Sequence, residues 1–261
     1  MQNLILFDDS RHITLLPLTY TRPVCELRVG ILTIREKWES WLQLKASWLT
    51  REYLRNKYPL ATQADNLYVN SGILPDEELV NALGTLKPGE AYTNGNTIIA
   101  ARAGNFEKVV SGKTSTRAYA NTYTSVQYPD HIFAQNANEI RRDYKLLTHN
   151  RQSAGLNTNN QVLNEGQLFV EEGAEVNFAS INASTGPVYI GKEAQIMEGS
   201  HIRGPFAIHQ GAVVKMGAKI YGATTIGPYS KIGGEVKNVV VQGYSNKAHE
   251  GFLGDSVIGE W

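Results

Sequence analysis

Residues 190–236 read IGKEAQ IMEGSH IRGPFA IHQGAV VKMGAK IYGATT IGPYSK IGGEV when broken into sixes from Ile190. Every block opens on a branched apolar residue: Ile190, Ile196, Ile202, Ile208, Val214, Ile220, Ile226 and Ile232. Four positions later stand Ala194, Ser200, Phe206, Ala212, Ala218, Thr224, Ser230 and Val236, most of them small or β-branched. A period of six matches neither the 3.6 of a helix nor the two of a strand. It matches a coil of three short strands, each sending one side chain into a narrow triangular interior, with glycine easing the corners. Three hexapeptides close one coil, and stacked coils form a parallel β-solenoid. Val170 and Val176 extend the register backwards, with an interruption expected over residues 177–189, where Gly186-Pro187 marks a turn. Beyond Ile232 the sixth position is Asn238, so residues 237–251 are expected to bulge from the prism or distort one coil. Phe252 and Ile258 then resume the six-residue spacing.

Working outward, the amino-terminal part has another grammar. Residues 1–165 hold 8 of the 24 glycines and residues 166–261 hold 16. This shift predicts an α/β domain over 1–150, a polar connector over 151–164 and the solenoid over 165–261. Leu4-Ile5-Leu6-Phe7, Leu67-Tyr68-Val69 and Ile98-Ile99-Ala100-Ala101 read as strands. Trp38, Trp41, Leu42, Leu49 and Tyr53 recur at helical spacing, which predicts one or two helices over 34–57, the second capped by Thr50. Pro75-Asp76-Glu77-Glu78-Leu79 reads as a helix amino terminus.

Of the 261 residues, 25 are Lys or Arg and 25 are Asp or Glu, so the formal net charge is zero. That balance speaks against nucleic acid as a partner. The apolar runs fall far short of the roughly 20 residues of a membrane span, so no membrane partner is expected. One cysteine, Cys25, allows no internal disulfide and suits a reducing compartment. With no basic leader after Met1, the expected location is the cytoplasm.

The repeat, together with Gly222-Ala223-Thr224-Thr225-Ile226-Gly227-Pro228 and Arg22-Pro23-Val24-Cys25-Glu26-Leu27-Arg28-Val29-Gly30, resembles known families. The second half is similar to hexapeptide-repeat acyltransferases, which implies a left-handed β-helix and a homotrimer. The whole chain resembles sugar nucleotidyltransferases found in Bacteroidetes, related to the bifunctional N-acetylglucosamine-1-phosphate uridylyltransferase/glucosamine-1-phosphate acetyltransferase. In that family a Glu-x-Lys pair precedes a histidine by twelve residues, with Leu-Gly-Asp following; here stand Glu235-Val236-Lys237, His249 and Leu253-Gly254-Asp255. The resemblance makes His249 the general base that deprotonates a sugar amine attacking an acyl-CoA thioester, such as acetyl-CoA. It gives Lys237 a sugar phosphate, Glu235 an orienting role, and Lys231 the place of a phosphate-binding arginine. Phe252 stands where the family has tyrosine. His201 and His209 are expected in solvent, and Lys215, Lys219 and Lys247 to serve solubility. Because the family's solenoid runs on past the position of Trp261, a further coil is expected in a longer protein.

The amino-terminal resemblance implies a nucleoside triphosphate and a sugar phosphate as substrates. The motif is altered, however. The family's glycine-rich loop is replaced by Asp8-Asp9-Ser10-Arg11-His12, its arginine by Thr14 and its lysine by Val24, and its metal-binding aspartate is absent near Leu67–Gly72. Asp8 and Asp9, adjacent acids at a strand end, are the candidate ligands for Mg²⁺. Arg22 and Arg28, within the most family-like stretch, are the candidate phosphate contacts. Three functions stay open on this reading: nucleotidyl transfer to a sugar 1-phosphate, acyl transfer to an amino sugar phosphate, and non-catalytic binding or scaffolding.

Overall fold

The structure, a computed structural model, describes residues 3–261. The chain divides into two compact units. The first comprises residues up to Leu27 together with Thr33–Tyr128, and the second comprises Arg28–Leu32 together with Pro129–Trp261. The division falls at Tyr128/Pro129, ahead of the connector expected at 151–164. A long helix and the five-residue segment Arg28–Leu32 pack with the solenoid, so they belong to its core rather than to the α/β layer.

In the first unit the chain runs β1 (Asn3–Phe7), α1 (Arg11–Thr14), α2 (Ile34–Leu42), β2 (Ala46–Leu49), β3 (Asn66–Asn70), α3 (Glu77–Leu83), β4 (Glu90–Asn94), β5 (Thr97–Ala103), α4 (Phe106–Val110) and β6 (Ser115–Ala118). The six strands form one sheet in the order β2-β1-β3-β5-β4-β6. β1 is parallel to both β2 and β3, and β5 is antiparallel to β3 and β4. Leu4, Ile5 and Leu6 are fully buried in the central strand, which explains its unbroken apolar run. α2 opens on a capping box between Thr33 and Glu36 and stops at Gln43, whose backbone is left-handed. The second helix expected beyond it is reduced to a 3-10 turn at Glu52–Leu54, which Thr50 does not cap, and Ala46–Leu49 is a strand registered on Leu4–Phe7. The apolar spacing of Leu49 and Tyr53 after Trp38, Trp41 and Leu42 imitated a helix, but pairing with the central strand decides the conformation.

The second unit opens with α5 (Pro129–Thr148) and continues as a left-handed β-helix of about five turns. All eight repeat positions from Ile190 to Ile232 are at most 2 % exposed and form its core. The solenoid has three faces. The first stacks Gln161–Leu163, Ser180–Asn182, His201–Arg203, Lys219–Tyr221 and the start of Glu235–Val241. The second stacks Leu168–Val170, Val188–Ile190, Phe206–Ile208, Thr224–Ile226 and the end of Glu235–Val241. The third stacks Glu175–Val176, Gln195–Ile196, Val213–Val214, Lys231–Ile232 and Asn246–Lys247. Outward residues of the second face, among them Phe169, Tyr189 and Ala207, pack with Ile31 and with Ile140 of α5.

Beyond Ile232 the coil tightens instead of bulging. The inward column Val170, Ile190, Ile208, Ile226, Val241 and Ile258 advances by 20, 18, 18, 15 and 17 residues. The long first step contains Gly186-Pro187. The short step is made by one strand, Glu235–Val241, turning a corner at Asn238, whose φ is +52°. In the last coil Leu253, not Phe252, pairs with inward Val236, and Phe252 is 63 % exposed. On the third face Lys247 takes the register position beside Ile232. Its Nζ donates to the carbonyls of Gly233, His249 and Gly251 at 2.7, 2.8 and 2.9 Å. Lys247 is thus a corner clamp, not a solubility charge.

Candidate functional site

The chain leaves β1 for β2 on one side of the sheet and returns to β3 on the other. In open α/β sheets such a reversal leaves a crevice at the carboxyl ends of the two strands, where ligands bind. Here those ends carry Asp8 and Asp9 after β1, and Asn70, Ser71 and Gly72 at the end of β3.

Both acids are engaged by the protein. Asp8 accepts from the Val24 N–H at 3.1 Å and the Thr50 hydroxyl at 2.5 Å, and its Oδ2 lies 3.3 Å from His12 Nδ1. Asp9 accepts from the Arg11 N–H at 2.8 Å, from the Arg11 guanidinium and from the Asn70 amide at 2.8 Å. Arg11 also reaches Asn70 Oδ1 at 3.3 Å, and its Nε is buried without a hydrogen-bond partner. Gly72 makes room for this side chain, since a Cβ there would collide with Arg11 Cδ. A Mg²⁺ ion needs free carboxylate lone pairs. Asp8 accepts two protein hydrogen bonds and faces His12, and Asp9 is tied to the Arg11 cation, so the two acids are engaged by protein groups rather than forming the open acidic pair that the resemblance implied. Among the described residues no group of three His, Cys, Asp or Glu side chains is placed to hold a metal.

The expected cations separate. Arg22 is half-buried beside Tyr58 and Glu26, and burial draws its pKa below the usual arginine value. Val24, two residues on, is fully buried and tied to Asp8, so the family's lysine position has become core. Arg28 belongs to the second unit. Its guanidinium donates to the Ile31 carbonyl and approaches His209 Nε2 at 3.2 Å, while its N–H donates to Gln242 Oε1 at 2.7 Å. Arg28 is therefore a buried brace rather than a phosphate contact. His209 is correspondingly not a solvated histidine: burial and the neighbouring guanidinium hold its pKa well below the usual value. Sequence reasoning missed Arg51, whose Nη2 reaches the Asp9 carbonyl at 3.4 Å, and Asn70, which ties β3 to the Asp9 loop. A polar residue followed by Ser-Gly at a strand end was the available signal for Asn70.

In the last coils, Glu235 and Lys237 lie on the first face and Lys231 on the third. Glu235 accepts from the Tyr221 hydroxyl at 2.5 Å. His249 is exposed, and its carbonyl is held by Lys247. Among the described residues no hydrogen bond or ion pair joins the His249 imidazole to Glu235 or Lys237.

A sheet wound both ways about β1 defines an α/β domain with a crevice at the carboxyl ends of β1 and β3. The sugar nucleotidyl transferase family matches residues 4–152, more than half of the chain, and the chain belongs to that family. No curated protein matches it. Nucleotide and sugar phosphate are the substrates that this membership implies. Among the described residues no helix is long and apolar enough to cross a membrane.

Proposed function

We propose that the chain is a sugar-1-phosphate nucleotidyltransferase of nucleotide-sugar metabolism, with its substrates meeting at the carboxyl ends of β1 and β3. The observation that carries this reading is Arg11, buried at that reversal with Nε unclaimed. In the reaction a phosphate oxygen of the sugar 1-phosphate attacks the α-phosphorus of the nucleoside triphosphate. A new P–O bond forms, the α–β anhydride breaks, and pyrophosphate leaves with the electron pair. Such transfer depends mainly on positioning and on neutralising charge on the phosphoryl oxygens. Arg11, Arg22 and Arg51 supply that charge. Asp9 and Asn70 fix the Arg11 fork, and Asp8 fixes the backbone that carries Arg22. No step is assigned to a metal ion.

Pyrophosphate release tests the reading, with the four common nucleoside triphosphates each paired with glucose 1-phosphate, N-acetylglucosamine 1-phosphate or mannose 1-phosphate. One pair should turn over, and R11A should lower its rate at least tenfold while the protein stays folded. A folded wild-type protein that releases no pyrophosphate with any pair would overturn it.

The engagement of Asp8 and Asp9 by protein donors, with Asp9 paired to Arg11, favours a second reading, a binding module without turnover. Saturable nucleotide binding that R22A weakens, with no pyrophosphate released, would establish it. Acyl-CoA-dependent transfer has weaker support, because Glu235 is taken by Tyr221 and His249 shares no hydrogen bond with Lys237.

A further inference from the structure

The first face of the solenoid carries a groove of about 580 Å³. Its floor is four successive rungs, Gln161–Leu163, Ser180–Asn182, His201–Arg203 and Lys219–Tyr221. The central residues Ile181, Ile202 and Ile220 point inward, so the two flanking residues of each rung point out. The register sets Ser180 beside His201 and His201 beside Lys219, with Asn182 beside Arg203. Adjacent rungs lie about 4.8 Å apart, so these side chains form two short columns. One column runs Gln161, Ser180, His201 and Lys219; the other runs Leu163, Asn182, Arg203 and Tyr221.

Arg203 and Lys219 form no ion pair among the described residues, although the register sets Glu235 on the rung beside Lys219. Arg35, Arg102 and Arg151 each meet a carboxylate within 3 Å. Arg203 and Lys219 are exposed and meet none among the described residues, while the nearby Glu235 accepts from Tyr221. Beside the cations are neutral groups suited to sugar hydroxyls. Ser180 Oγ lies 2.6 Å from His201 Nδ1, and Asn182 offers its amide donor, its Oδ1 already accepting from the Ser184 N–H at 2.9 Å.

We propose that this face binds a phosphorylated monosaccharide, with Arg203 and Lys219 on the phosphate and Ser180, Asn182 and His201 on the sugar hydroxyls. The planar guanidinium matches two phosphate oxygens at once, and the ammonium adds a point charge. The groove falls within the roughly 300–1,000 Å³ usual for small-molecule sites, more than a bare phosphate fills. The site uses residues of the second unit only and does not rest on the proposed nucleotide site.

The experiment titrates the full chain with glucose 1-phosphate, with glucose and with inorganic phosphate, following heat and the His201 imidazole NMR signals. Glucose 1-phosphate should saturate and shift His201, and bind at least tenfold more tightly than either fragment. R203A and K219A should each weaken binding about tenfold, and K192A should leave it unchanged. Equal affinity for inorganic phosphate would reduce the face to general anion attraction and overturn the proposal. So would binding lost in R11A but kept in R203A/K219A, which would place the ligand in the first unit. Absence of saturable binding would also overturn it, as would a dimer or trimer that R203A/K219A dissociates with no sugar phosphate bound. Pyrophosphate release, measured separately, reports on the nucleotide reading whichever result is obtained here.

Discussion

Arg28 Nη1 stands 3.2 Å from His209 Nε2, a cation against an imidazole with little water between them. The contact is favourable only while His209 is neutral and its ring nitrogen accepts. Burial and Arg28 both lower the pKa of His209, and a backbone hydrogen bond to Ile31 offsets them only in part. The unfolded chain therefore binds a proton more readily than the folded one. Stability is full above the unfolded value, about 6.5, and falls as the pH drops from there towards the folded value. Thermal unfolding at pH 8, 7, 6 and 5 should show a steeper loss for the wild type than for H209Q, which keeps an acceptor but does not titrate. Parallel curves would show that His209 is not the sensor.

Asn136 holds the segment Arg28–Leu32 in the second unit by serving three partners at once. Its Oδ1 accepts from the Gly30 N–H at 2.8 Å and the Thr225 hydroxyl at 3.1 Å, and its Nδ2 donates to the Ala223 carbonyl at 2.8 Å. Asp143, two turns on, accepts from the N–H groups of Ile31 and Leu32 at 2.8 and 2.9 Å. N136L keeps the bulk and removes every bond, leaving a buried donor and a buried acceptor without partners. Each such group costs about 1–3 kcal/mol, so urea unfolding should show a loss of about 2–6 kcal/mol. A loss below 1 kcal/mol would mean that water replaces the amide.

The solenoid was legible because inward Ile and Val must recur at one residue per face, and nothing else uses a period of six. Its last coils were not, because shortening a coil keeps the column filled while breaking the count: Val236, Val239 and Val241 take the inward places through one bent strand. Strand β2 was hidden because its fate depends on β1, more than forty residues away. In the candidate nucleotide site, Asp8 and Asp9 announced themselves as acids at a strand end. Their partners Thr50, Val24 and Asn70 are brought in by tertiary pairing, which leaves no local spacing to read. His209 looked solvated because its partners Arg28 and Ile31 lie almost 180 residues or more earlier in the chain.

Lys247 closes the corner that carries His249. Its ammonium bonds three carbonyls, two of them within residues 249–251. Methionine matches the stem and lacks the charge, so K247M should free this corner while keeping the column filled. Hydrogen bonds to charged groups are worth about 1.5–3 kcal/mol when buried, and partial exposure here lowers the expectation to about 1–2 kcal/mol for the set. Amide exchange should quicken at Glu235, which donates to the Gly251 carbonyl, and stay unchanged at His209 two coils away. Uniform quickening along the solenoid would instead mean that the last coil unfolds with the rest.

Gly72 and Arg11 form a pair in which an absent side chain on one strand end makes room for a long one from the other. In G72A the new Cβ would overlap Arg11 Cδ and stand 3.1 Å from the Val126 carbonyl. The backbone cannot retreat easily, because the Gly72 N–H donates to Asn70 Oδ1 at 3.0 Å and its carbonyl accepts from the Val126 N–H at 2.8 Å. Arg11 must therefore leave, at about 1–3 kcal/mol for the overpacking. Nucleotide affinity should fall as far in G72A as in R11A. If Gly72 acts only through Arg11, the double variant R11A/G72A should be no weaker in binding than R11A and more stable than G72A, a coupling that a double-mutant cycle measures directly. Strictly additive effects on binding would show that Gly72 does not act through Arg11 and overturn the pairing.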